Sequence, residues 1–383
     1  MTRNIRRVVW LIVASCTAFA AAAQAHARGT ANKSPVAFVY VGSGEIYAFA
    51  AAADGKLTPV HGSPFPGEVY STAVNSGYLF GTDRTNIYSY SIASDGALKL
   101  VFAIDATQYN DPPGSGGFLR SLFLDRTGAT LYDQELYCCG KNNAYQSFRV
   151  DNSTGWLTYL GVSDQGWGFI VPLAFIGNNV YTYGASTDYY YTDTIYGFRR
   201  RKDGKLTSAG GGWKLPQPPP GYGYGVYLTS ADPTNHVAIT AQAYTGCCDG
   251  NHGMPLPQLA TYTAHADGSL TTKSTYRNMP ATANQYVYDL AMSPSGKLLA
   301  VGGSNGLQVF HFNGGNPITH YTGLITKDEI QKVSWDDDNH LYAISSKSSK
   351  LYVFTITPTS HHQASGSPYS ITNPSGIVVL PKR

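Results

Sequence analysis

One pattern recurs along this chain and restricts its fold more than any single motif: an alternating aromatic strand, a glycine turn, then Leu-Thr. It is written IYAFAAAADGKLTPV at 46–60, IYSYSIASDGALKLV at 87–101, YQSFRVDNSTGWLTYL at 145–160, IYGFRRRKDGKLTSA at 195–209 and LATYTAHADGSLTTK at 259–273. LQVFHFNGGNPITHY at 307–321 is a degraded copy, and LYVFTITPTSHHQAS at 351–365 lacks the glycine. Asp-Gly between alternating apolar runs marks a tight hairpin, because glycine accepts the positive φ of the turn. A second hairpin precedes each of these, as in SLFLDRTGATLYDQ at 121–134 and LAMSPSGKLLAVGG at 290–303. Each unit therefore holds four strands, A to D. The turn glycines Gly55, Gly96, Gly155, Gly204, Gly268 and Gly314 lie about 52 residues apart on average, close to the ~40–50 of a propeller blade.

The ends of the chain fit a closed ring. The first unit starts at Val36 with strands B, C and D, and the chain finishes on the apolar strand GIVVL at 376–380 with nothing to follow it. That strand is expected to supply the missing inner strand of blade one, which removes the open edge between first and last blades. The fold class is all-β, a seven-bladed β-propeller over 36–381. Few charges (13%) with 41 Gly and 29 Tyr suit a turn-rich sheet protein.

Residues 1–27 read as an export signal: Arg3, Arg6 and Arg7, then an apolar run from Val8 to Ala23, then small-residue cleavage sites at 23–25 and 25–27. Residues 28–35 are a linker. Val13-Ala14-Ser15-Cys16 offers an alternative, a lipoprotein box with lipidation at Cys16. Removing the signal takes three Arg and no acid, leaving 24 basic against 24 acidic residues. This balance gives no basic excess for nucleic acid. Arg199, Arg200, Arg201 and Lys202 are expected at the solvated end of a hairpin. The expected location is periplasmic or secreted, with no membrane span after cleavage and a monomeric state.

FVYVGS at 38–43, the Asp-Gly-x-Leu-Thr turns, GSPFP at 62–66 and GSPYS at 366–370 resemble the YVTN-type, lactonase-like seven-bladed propellers, which include 6-phosphogluconolactonase-like proteins. The resemblance covers 36–381 and implies the architecture. Its activity would need a His, Glu and Arg group at the channel rim. No His falls at the start of an A strand here, His236 and His340 being expected in A–B turns, and no segment matches the family's usual His-containing motif.

In a propeller the D–A and B–C connections share one face, and the first residues of the A strands ring the channel there. Aligning the repeats places Tyr70, Arg120, Val171, Tyr227, Tyr288, Gln331 and Ser375 at that rim, with Asp289 and Lys332 one residue further. Tyr70, Arg120, Trp167, Tyr224, Tyr227, Tyr286, Tyr288 and Gln331 are the candidate ligand-binding residues; Trp167, Tyr222, Tyr224 and Tyr286 are expected in aromatic, Gly- and Pro-rich D–A loops such as 216–227, placed to stack on a sugar ring or a peptide. The plain alternative is that these tyrosines fill the tunnel. Glu68 and Arg120, with Asp289 as a spare acid, form the minimal acid–cation set a lactone hydrolase needs.

Cys138-Cys139 and Cys247-Cys248 sit in the B–C connections of blades three and five, with blade four between. Joining one pair to the other means reaching across a blade, so two vicinal disulfides are expected after export. Thiolate metal binding with His252 is the weaker alternative, and no metal or cofactor is expected. The leading functional reading is a non-catalytic binding or scaffolding propeller for a small molecule, a glycan or a cell-envelope protein. A degenerate lactonase is the alternative.

Overall fold

The computed structural model describes residues 34–110, 119–136, 144–163, 169–170, 172–187, 194–244, 255–337 and 339–382. Seven small antiparallel sheets stand in a ring as a β-propeller. Blade 2 shows the plain form, with A at Ser71–Val74, B at Tyr78–Thr82, C at Asn86–Ile92 and D at Leu98–Asp105. Blade 4 has its A strand split into Phe169–Ile170 and Ala174–Phe175, both paired with B at Tyr181–Thr187. Phe65–Pro66 and Tyr369–Ser370, from the two Gly-Ser-Pro segments, add a short strand to the C strands of blades 1 and 7.

Closure follows the expected register. Strand B of blade 1, Ala37–Gly42, pairs with C at Glu45–Ala51 on one side and with the C-terminal Gly376–Pro381 on the other. Phe38 faces Leu380, and Val41 faces Ile377.

B strands lie between two sheet neighbours and between two blades, so both their faces are covered. Ala37–Gly42, Tyr78–Thr82, Leu298–Gly303 and His340–Ser345 are buried at every residue. This is why they read as continuous apolar runs rather than as alternation. The outer D strands are largely exposed, His361–Gln363 completely so.

Three hydrogen-bond devices repeat between and within blades. A buried B-strand tyrosine donates to the C–D turn glycine carbonyl of the next blade: Tyr40 to Gly96 (3.1 Å), Tyr132 to Gly204 (2.7 Å) and Tyr183 to Gly268 (3.0 Å). The six predicted turn glycines all have positive φ, from 60° to 96°. Their neighbours crowd them too, since a Cβ at Gly96 would lie 2.5 Å from the Phe38 ring. Second, a hydroxyl beyond the D strand accepts a C-strand N–H in five blades, from Ser63, Ser163, Ser274, Thr322 and Ser367. Third, an Asn, Asp or Ser opens the A–B turn and ties its backbone, as Asn75, Asp232, Ser293 and Asp336 do.

Two expectations need correction. Arg200 is not solvated with its neighbours: its Nε lies 2.6 Å from Asp125 Oδ2, and the Asp125 side chain is fully buried. Its guanidinium reaches Asp125 and Thr130 of blade 3, while Arg199, Arg201 and Lys202 are exposed. His236 and His340, expected within A–B turns, are the first residues of B strands. Each is bound to the turn acid four residues earlier, and the buried His340–Asp336 pair measures 2.8 Å. The His340 ring also supports the Gly55 turn, a Cβ there being 3.1 Å from it, so it sits in the seam between blades 7 and 1.

Candidate functional site

The rim begins from backbone geometry. One hydrogen bond recurs at the entry to the A strands: Tyr70 N–H to Thr82 O (2.9 Å), Gln331 N–H to Ile344 O (3.0 Å) and Ser375 N–H to Gly42 O (2.8 Å). In blades 5 and 6 the A strand carries a bulge at the equivalent place, between Val226 and Thr229 and between Val287 and Asp289. A bulge re-aims a side chain and interrupts pairing. Tyr227 and Tyr288 are the residues so placed. Arg120 lies within strand A of blade 3, opposite Glu135. Its side chain, with Val171, Trp167, His252 and the four cysteines, lies outside the described residues.

The candidate aromatics have different fates. Tyr70, Tyr286 and Tyr288 are 38%, 43% and 37% exposed, and Tyr222 matches them at 38%; Tyr224 is 3% exposed. Tyr224 was expected in a loop, but strand A of blade 5 begins at Gly223 and carries it inside. Its hydroxyl donates to Gln258 Oε1 at 2.6 Å. A ring packed in the core offers no face to a ligand, so Tyr224 leaves the site. Tyr227 is half-buried, and burial drives its hydroxyl far above the usual phenol range.

The acids are engaged. The Tyr70 hydroxyl donates to Glu68 Oε1, and this bond raises the Tyr70 pKa. Arg84, from the B–C turn of blade 2, lies over the Tyr70 ring at 5.1 Å. Asp289 accepts Val333 N–H at 2.8 Å and sits 3.8 Å from Lys332 Nζ. It is therefore a link between the A strands of blades 6 and 7 rather than a spare base. Glu329 accepts from Gln331 Nε2 at 2.8 Å and faces Lys347 Nζ at 3.7 Å. Gln331 Oε1 in turn accepts Ser346 N–H at 2.7 Å, which fixes the amide. The Tyr288 pKa is raised, first by lost hydration and then by the nearby Glu329 charge. Beyond them Asp328 accepts from Tyr352 and from Lys350 Nζ (3.1 Å), bonds that hold its carboxyl down at about 2.

Exposed rings beside an ordered carboxylate and amide can stack on a flat or ring-shaped ligand and hydrogen-bond its edges. Among the described residues no three His, Cys, Asp or Glu side chains are grouped to hold a metal. Sequence reading missed Arg84, Lys347 and the Asp328–Lys350–Tyr352 group. The signal for Arg84 and Lys347 was available: both lie in B–C turns, which share this face.

No family model matches the chain, and no curated protein matches it. Among solved structures, a periplasmic gluconolactonase of Pseudomonas aeruginosa is 15% identical with a TM-score of 0.61, covering 90% of this chain and 99% of that one. A candidate 6-phosphogluconolactonase of Bacteroides fragilis is 13% identical with a TM-score of 0.63, covering 92% and 99%. A protein from Lactobacillus plantarum is 14% identical with a TM-score of 0.64, covering 90% and 99%. The structural neighbours of this chain are thus lactonase-like propellers, and at these identities what it shares with them is the fold.

Proposed function

We propose that this chain is an exported binding propeller whose ligand lies at the D–A/B–C end of the channel, and that it carries out no chemistry of its own. One observation carries the reading: exposed Tyr70 and Tyr288, the latter with exposed Tyr286 near it, stand beside acids whose oxygens are already held by Tyr70, Gln331, Lys347 and Val333. Such a surface suits a ligand with ring faces and hydroxyl edges, a glycan or a small polyol, better than it suits proton abstraction. Export follows from the basic, apolar and small-residue order of residues 1–27, in either its cleaved or its Cys16-lipidated form. The described residues contain no helix long and apolar enough to cross a membrane. Cys138-Cys139 and Cys247-Cys248 are proposed to close as two vicinal disulfides on this same face. Titration against neutral oligosaccharides and envelope fractions tests the reading: saturable binding that Tyr288→Ala weakens is expected, and binding unaffected by rim substitutions would overturn it.

A second reading, a lactone hydrolase, is favoured by the names of two structural neighbours. Here Glu68 would take a proton from water, the water oxygen would add to the lactone carbonyl, and Arg120 would balance the oxyanion; the ring C–O bond would then break, with Glu68 returning the proton to the departing ring oxygen to give a hydroxy acid. Purified protein assayed on a lactone panel separates the two. Hydrolysis abolished by both Glu68→Ala and Arg120→Ala establishes the enzyme, and inactivity across the panel removes it.

A further inference from the structure

The opposite end of the propeller, where A–B and C–D turns lie, holds a cavity of about 620 Å³ among the end of the C-terminal strand and the turns of blades 2 and 3. A neighbouring one of about 360 Å³ reaches blades 5 to 7, and Arg126 lines both. Arg126 opens the A–B turn of blade 3 just after Asp125. Its Nε donates to Phe175 O (2.8 Å) and its Nη2 to Asp232 O (2.5 Å), so the side chain spans from blade 3 to blades 4 and 5. Among the described residues the hydrogen-bond partners of its side chain are main-chain carbonyls.

Lys382 lines the larger cavity too. Its Nζ donates to Ser94 O at 3.2 Å and lies 5.2 Å from the centre of the Phe38 ring. Both cations are exposed, and among the described residues neither has a carboxylate within ion-pair distance. The nearby acids are occupied. Asp125 is held by Arg200, Asp232 by Thr234 and His236, and Asp95 by Ala97 N–H. Exposed hydroxyls of Ser76 and Ser94 complete the polar lining.

We propose that this cavity is a second ligand site, for a small organic anion of two negative charges, held by Arg126 and Lys382 and by the hydroxyls of Ser76 and Ser94. Among the described residues neither cation has a carboxylate within ion-pair distance; Asp232 acts on Arg126 only from further off, and Asp125, which also lines the cavity, is taken up by Arg200. An anion on this wall would therefore gain two cationic partners, and a guanidinium suits the oxygens of a carboxylate or phosphate group. The serines accept and donate at its edges. The chemistry belongs equally to a phosphate monoester and to a dicarboxylate.

Calorimetric titration of the mature protein with inorganic phosphate, with succinate and with neutral erythritol tests it at low salt. Saturable binding of either anion near about 1 mM, lost as salt rises, is expected. Phosphate alone points to a phosphorylated ligand, succinate alone to a dicarboxylate, and both to a general dianion site. Arg126→Gln and Lys382→Gln should each weaken the anion about tenfold or more, since charge-assisted bonds carry at least that factor. Arg126 also ties three blades, so Lys382→Gln and Ser94→Ala, at exposed positions, carry the test if that variant unfolds. Silence from both anions at about 50 mM, or equal binding of erythritol, or affinity unchanged in Lys382→Gln, overturns the site.

Discussion

Tyr40, Tyr132 and Tyr183 lie in the gaps between blades; Tyr70, Tyr286 and Tyr288 stand at the channel rim. The first three are fully or almost fully buried and donate to a glycine carbonyl of the next blade. Burial raises all three hydroxyls well above the ordinary phenol value. The rim tyrosines leave more than a third of their surface open. One residue type thus serves two ends. Where a tyrosine hydroxyl meets the turn-glycine carbonyl of the next blade, as in blades 1, 3 and 4, it reports the architecture. Where the rim position holds Tyr, Arg, Val, Gln or Ser from blade to blade, the repeat does not dictate the residue.

The largest expected effect breaks the interior set. Tyr183→Ala removes a fully buried ring that packs edge-on against Trp213, with centroids 5.8 Å apart. Filled-core truncations of this size cost about 3–5 kcal/mol, measured as a fall in the urea midpoint at unchanged slope. Tyr132→Phe keeps the ring and removes only the donor to Gly204. That substitution should cost about 1 kcal/mol, the net worth of one hydrogen bond. If Tyr132→Phe proved as costly as Tyr183→Ala, the hydroxyl rather than the packing would hold the blades together.

A smaller effect concerns acid stability beside the rim. Asp328 is held down at about 2 by Tyr352 and Lys350, below the ~3.9 of an unfolded chain. The unfolded state therefore binds the proton first as pH falls. The contribution is present above about pH 4 and disappears toward pH 2. Asp328→Asn should be less stable than the parent near neutrality, by under about 1 kcal/mol because the pair is half-exposed. The gap should close in titrations carried toward pH 2. A gap that stays constant with pH would assign the loss to packing.

These contrasts show how much the sequence could reveal. Blade number, the turn glycines and the closing strand were legible because each rests on a local rule repeated many times: positive φ at Gly55 to Gly314, alternation in the C strands, an unpaired strand at each end of the chain. The rim alignment was legible through Tyr70, Gln331 and Ser375, which share one backbone bond. Tyr224 was misplaced because the glycines at 221, 223 and 225 read as a loop, while the strand in fact starts among them. Arg126 and Arg200 were invisible for another reason. Their partners lie on other blades, at sequence distances from 49 to 106 residues, and no local pattern encodes which way a long cation turns. The shared Ser and Thr acceptors follow the turn glycine by eight residues in blades 1, 3 and 6 and by six in blade 5, a repeat that the sequence reading passed over.

The smallest expected change in stability is also the sharpest test of the rim. Tyr288→Ala alters a bulged residue whose ring is partly in water and whose neighbours Glu329 and Gln331 keep each other. Its unfolding midpoint should stay within about 0.5 kcal/mol of the parent, as exposed substitutions usually do. Ligand binding should nonetheless fall about tenfold, because a stacked ring contributes roughly 1–1.5 kcal/mol. Tyr183→Ala, assayed below its own unfolding midpoint, should show the reverse: weaker folding with the ligand affinity kept. A Tyr288→Ala protein that folds and binds like its parent would make the rim tyrosine one more piece of covering for the channel, and the division between interior and rim would lose its functional meaning.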